Sequence, residues 1–120
     1  MIRHIVFFSA RRPEDYETVG AGLDLLTGTG IPRVLEIGRN TNTDALSERV
    51  DFVVYGEFDD EAALAAYKAH PLYQKSIDIV RPLREMRIAA DFVAGLGDLS
   101  PVESTTRERG VLKDYGARRL

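Results

Sequence analysis

The sequence predicts an α+β domain of the split βαβ, ferredoxin-like kind, an antiparallel sheet with helices on one face. Three observations carry this reading. Four short stretches are rich in β-branched and aromatic residues, two longer stretches show helical spacing of apolar residues, and their order is strand, helix, strand, strand, helix, strand. At 120 residues with no cysteine, the chain has the length of one domain and no disulfide framework or thiolate chemistry.

The first strand is Ile2 to Phe8, stopped by Ser9-Ala10-Arg11-Arg12-Pro13. Alternation places Ile2, His4, Val6 and Phe8 on one side and Arg3, Ile5 and Phe7 on the other. Both sides are largely apolar, which implies that both are covered. Pro13 suits the first turn of a helix, and Glu14 and Asp15 complement its positive end. Tyr16, Val19, Gly20, Leu23 and Leu26 then form one stripe, with Gly20 read as a site of close helix–sheet packing. Gly28-Thr29-Gly30-Ile31-Pro32 ends the helix.

Arg33 to Asn40 reads as the second strand, with Val34, Glu36 and Gly38 on one side and Leu35 and Ile37 on the other. Thr41 to Arg49 is polar and loop-like. Asp51 to Phe58 is the third strand, where Phe52, Val54 and Phe58 alternate with Val53 and Tyr55. Asp59-Asp60-Glu61 supplies a helix cap and first-turn acids ahead of Ala62 to Ala69. Pro71 disfavours a helical His70 and breaks the helix in two. Leu72, Ser76, Ile77, Val80 and Leu83 mark the second piece. Glu85 to Ala94 is the fourth strand, with Met86, Ile88, Ala90 and Phe92 on one side.

Residues 1–95 thus form the domain. Residues 96–120 are polar, carry Pro101, Gly110 and Gly116, and read as a C-terminal tail or arm. With helices on one face, the other sheet face is left bare, and Ile5, Phe7, Leu35, Ile37 and Val53 are assigned to it. An apolar patch of that size is unusual on a monomer. A two-fold copy would cover it, so the favoured state is a homodimer; the alternative cover is the tail. A net charge of -3 gives no basis for nucleic-acid binding, and no stretch is a signal peptide or membrane span, so cytoplasmic residence is the default.

The chemistry-bearing residues gather in two places. His4 lies on the first strand, and Tyr67, His70 and Tyr73 flank the helix break. An imidazole with a pKa near ~6.5 can act as a general base at neutral pH. The alternative for His4 is a core histidine held by hydrogen bonds. Tyr67 can donate to a carbonyl oxygen as enolate charge develops, or pack as an amphipathic ring. Tyr73 is a hydrogen-bond donor, not a base. His70 either contacts a ligand or bonds backbone freed by the break. Val6 and Phe8, beside His4, are the candidate apolar ligand contacts. Two histidines could converge with Glu36 or Glu57, but no ligand spacing supports a metal site, and none is assigned. Gly28-x-Gly30 lacks the lysine and spacing of a phosphate loop.

The opening Ile2-Arg3-His4-Ile5-Val6-Phe7-Phe8, the segment Tyr55-Gly56-Glu57-Phe58 and the run Ala65-Ala66-Tyr67-Lys68-Ala69-His70-Pro71-Leu72-Tyr73 resemble the stress-responsive A/B barrel domain family. Val80-Arg81-Pro82-Leu83 and Arg87 to Phe92 extend the likeness to about residue 94. The resemblance implies a dimeric α+β barrel. It also points to relatives that cyclise linear polyketides by aldol chemistry without a cofactor. His4 matches their strand-one histidine and Tyr67 their tyrosine before the His-Pro step. The second histidine of their motif is Tyr73 here. The leading expectation is a homodimer binding a small, partly apolar carbonyl compound, with cofactor-independent proton transfer or cyclisation through His4, Tyr67 and Tyr73. The alternative is a non-catalytic, stress-associated dimer with its pocket filled by its own side chains. A monooxygenase is a third class, and no residue singles it out.

Overall fold

The computed structural model describes residues 1–95; the expected tail at 96–120 lies outside the described residues. Strand β1 spans Ile2–Ala10, β2 Val34–Arg39, β3 Phe52–Phe58 and β4 Arg84–Val93, and the helices are α1 Tyr16–Asp24, α2 Glu61–Ala69 and α3 Pro71–Val80. Single 3-10 turns flank α1 at Pro13–Asp15 and Leu25–Gly28. The strands form one antiparallel sheet in the order β2-β3-β1-β4. This is the expected ferredoxin-like arrangement, with β1 and β3 inside and the helices on one face.

Each local signal has a visible cause. The Asp60 carboxylate accepts from the Ala63 N–H at 2.9 Å and caps α2. His70 leaves the helical region (φ -70, ψ 142) ahead of Pro71, which opens α3 at its first position. Gly20 brings α1 onto the sheet, because a Cβ there would stand 3.1 Å from the Phe52 ring. Gly30 adopts φ +70 in the turn after α1, the left-handed region glycine enters without strain.

Strand β1 runs two residues beyond its expected end. The Asp51 carboxylate accepts from the Ala10 N–H at 2.8 Å, and the Arg49 guanidinium donates both to Asp51 and to the Ala10 carbonyl. Burial pushes the Asp51 carboxyl up, but Arg49 and the Ala10 N–H outweigh it and hold the group below its ordinary value.

The core lies between the sheet and the helices, built from Val6, Phe8, Val19, Leu23, Phe52, Val54, Phe58 and their neighbours. Leu35 and Ile37 pack against this core. Their assignment to the bare face is therefore corrected. Alternation sorts a strand into two sides, but only pairing says which side is which. Leu35 stands opposite Gly56 and Ile37 opposite Val54, and Val54 in turn pairs with the buried Val6. Gly56 has no side chain to fill that place; a Cβ would come within 3.2 Å of Leu35 and 2.9 Å of the Phe58 ring.

Registered across the strands, the opposite face carries Arg3, Ile5 and Phe7, then Val53, Tyr55 and Glu57, then Val34 and Glu36, then Met86, Ile88, Ala90 and Phe92. Ile88 is 56% exposed, Phe92 49% and Phe7 37%. No helix among the described residues lies on this face.

Candidate functional site

Between the sheet and the helices lies a cavity of about 270 Å³, just below the usual small-molecule range. His4, Val6, Phe8, Tyr67 and Tyr73 all line it, so strand β1, the end of α2 and the start of α3 bring five expected site residues to one place. The Tyr67 ring meets His4 with centroids 6.1 Å apart and Tyr73 at 5.1 Å, both edge to face, and tilts on Phe58 at 4.9 Å.

His70 is not among the lining residues. Its Nδ1 accepts from the Leu72 N–H at 3.0 Å, so the ring caps α3. That bond meets one of the orphan donors at a helix start. Of the two roles expected of His70, the bond to backbone freed by the break is the one present, and a ligand contact from it is not.

His4 is 2% exposed, and its Nδ1 stands 2.5 Å from Oδ1 of Asp91. An ionised carboxylate only accepts, so Nδ1–H donates and the neutral ring presents Nε2 as its free base. Nε2 bonds to no protein atom among the described residues. Burial pushes the imidazole pKa below its ordinary 6.5, while the Asp91 hydrogen bond and charge draw it back in part. The unfolded chain therefore binds this proton at higher pH than the folded one. Stability rises with pH through the window below 6.5 and is lost on acidification through it. In proton NMR, the His4 ring resonance, assigned with His70→Gln, is expected to titrate below 6.5, and lower still in Asp91→Asn. A midpoint at or above 6.5 in the parent protein would show that Asp91 dominates burial.

Tyr67 is fully buried, and its hydroxyl has no hydrogen-bond partner among the described residues. Burial and the neighbouring Tyr73 push its pKa up, so the group stays protonated and serves as a donor.

Asp91 was not identified from the sequence, nor were Ser76, Arg81, Arg84 and Arg87 as lining residues. A signal was present for two of them. If Met86, Ile88, Ala90 and Phe92 share one side of β4, then Arg87 and Asp91 share the other, which faces the helices. Asp91 pairs directly with His4 across the sheet. Glu36 and Glu57 stand on the bare face, away from His4, and cannot join it around a metal. Among the described residues no group of three metal-ligating side chains occurs, and no helix is long and apolar enough to cross a membrane.

Fold and site together define a ferredoxin-like domain with a small hollow between its sheet and its helices. The family model for the stress responsive A/B barrel domain (Dabb) matches residues 2–94, and the chain belongs to that family. A dimeric ferredoxin-like protein of unknown function from Thermobifida fusca is similar, at 27% identity and TM-score 0.66, over 77% of this chain and 89% of that one. A Dabb family protein with a ferredoxin-like fold from Mesorhizobium loti is 25% identical, with TM-score 0.66 over 80% and 97% of the two chains. A Nitrosomonas europaea protein described as a candidate antibiotic biosynthesis monooxygenase shares the fold, at 20% identity and TM-score 0.65 over 81% and 100%. No curated protein matches the chain.

Proposed function

We propose that the chain works as a homodimer whose cavity binds a small, partly apolar carbonyl compound and moves a proton beside that carbonyl without a cofactor. The observation that carries this reading is the pairing of an oriented base with an orphaned donor on one cavity wall. His4 is held by Asp91 through Nδ1, which leaves Nε2 as the base, and the Tyr67 hydroxyl is buried without a partner among the described residues.

A base held by a carboxylate through its other ring nitrogen has its tautomer and direction set in advance. Nε2 takes a proton from the carbon next to the carbonyl, and Asp91 stabilises the imidazolium that forms. The Tyr67 O–H donates to the carbonyl oxygen as enolate charge develops there. The imidazolium then returns its proton to carbon, which is isomerisation, or to the alkoxide formed when the enolate attacks a second carbonyl, which is cyclisation. Tyr73 stands against Tyr67 as a further donor.

A pocket too small for a ligand, with His4 tied to backbone, would have favoured the non-catalytic dimer. The carboxylate partner favours the proton-transfer reading. Support for the dimer comes from the wide apolar sheet face and from the Thermobifida fusca relative, which is described as dimeric.

Native mass spectrometry of freshly purified protein tests both halves. The expected result is twice the chain mass with a co-purifying small molecule, and His4→Ala is expected to lose that molecule while keeping the dimer. Unchanged retention in His4→Ala would move the site elsewhere, and a single-chain mass would remove the dimer.

A further inference from the structure

Proton transfer leaves unused three arginines, Arg81, Arg84 and Arg87, all on the cavity wall. Arg84 and Arg87 are three residues apart on β4, so strict alternation would send them to opposite faces. A bulge prevents this. The β1–β4 pairing passes from Ser9↔Met86 straight to Ala10↔Arg84 and leaves Glu85 without a partner. Arg84 thereby returns to the helix side, which Arg87 already occupies opposite Phe8. Arg81 joins them from the C-terminal end of α3. The Arg87 guanidinium stands 5.9 Å over the Phe8 ring.

Three groups that stay charged at any physiological pH thus share one rim. Among the described residues none of them lies within ion-pair distance of a carboxylate. Desolvation and the like charges of Arg87 and Arg81 push Arg84 down from its ordinary value. An anion on the rim would relieve that repulsion, and the forked donors of arginine suit planar or tetrahedral oxyanions. A second observation concerns the same cavity: Tyr67 lines it, and its buried hydroxyl has no partner among the described residues.

We propose that the cavity takes an amphipathic acid, with its oxyanion head on Arg81, Arg84 and Arg87, its apolar tail on Leu23, Leu26 and Val80, and a carbonyl oxygen at Tyr67. This rests on the cavity being a ligand site, and it names the ligand's class. A carboxylate and a phosphate share the required head chemistry.

Isothermal titration of the full chain with octanoate, octyl phosphate and uncharged 2-octanone separates the cases. At about 0.05 M salt, at least one acid is expected to bind roughly tenfold or more tightly than the ketone, with the gap narrowing as salt rises. Arg84→Gln with Arg87→Gln should bring the ratio near one and leave the ketone unchanged. Arg81→Gln alone, at a helix end, should weaken only the acids, which keeps the test valid if the double variant misfolds. The tighter of the two acids identifies the head group. Equal binding of all three ligands overturns the arginine assignment and keeps the cavity as a site. No binding by any of them overturns both.

Discussion

Replacing Phe7 and Ile88 by aspartate is expected to turn a dimer into single chains. The two residues are direct partners across β1 and β4 on the bare face, and both are exposed in the isolated chain. Fully burying a side chain of this size contributes about 1.5–3 kcal/mol, and a partner can still cover the exposed 37% of Phe7 and 56% of Ile88. Two-fold symmetry doubles each loss, and an unpaired carboxylate in an apolar contact adds a desolvation cost. A loss of roughly 4 kcal/mol would raise the dissociation constant by about three powers of ten. Light scattering of the variant should report the mass of one chain at micromolar concentration, where the parent reports two. The melting curve of the separated chain should stay cooperative, because neither side chain belongs to the helix-covered core. A variant that remains dimeric would place the interface on another surface, and a parent that is monomeric would remove the interface altogether.

Tyr67→Phe is expected to raise stability and lower ligand affinity together. A buried hydroxyl without a partner costs about 1–3 kcal/mol, and the Tyr67 hydroxyl has none among the described residues. Phenylalanine keeps the ring and its contacts with His4, Phe58 and Tyr73. Urea unfolding of the unliganded variant should therefore show a gain of about 1 kcal/mol, and 2-octanone should bind up to roughly tenfold more weakly. Tyr67→Ala gives the contrast. It empties the ring position and should cost about 3–5 kcal/mol. A Tyr67→Phe protein less stable than its parent would mean that the hydroxyl already has an acceptor. Opposite signs on stability and binding are what a buried polar group left unpaired for a ligand produces.

The elements were legible because their signals are local. The alternation in Phe52 to Phe58, the Asp60 cap and the break at Pro71 each act within a few residues, and each stands where it was expected. The polarity of β2 was not legible. Leu35 and Ile37 turn inward through pairing with Gly56 and Val54, across a long polar loop whose geometry no short-range pattern sets. The candidate site divides in the same way. His4, Tyr67 and Tyr73 could be singled out by residue type, but Asp91 is 87 positions from the imidazole it holds. The meeting of Arg84 and Arg87 depends on one unpaired residue, Glu85, in a strand that otherwise alternates. His70 shows the converse. Beside a proline, its most economical use is backbone capping, and its ring nitrogen is taken up there.

Along β1, His4, Val6 and Phe8 wall the hollow, while Arg3, Ile5 and Phe7 form the opposite surface. In the proposed dimer, subunit association and ligand occupancy would act on one backbone, a single pleat thick. Thermodynamic reciprocity then applies: whatever factor association puts on ligand affinity, the ligand returns in full to association. A coupling factor other than one would make ligand supply shift how much of the protein exists as pairs.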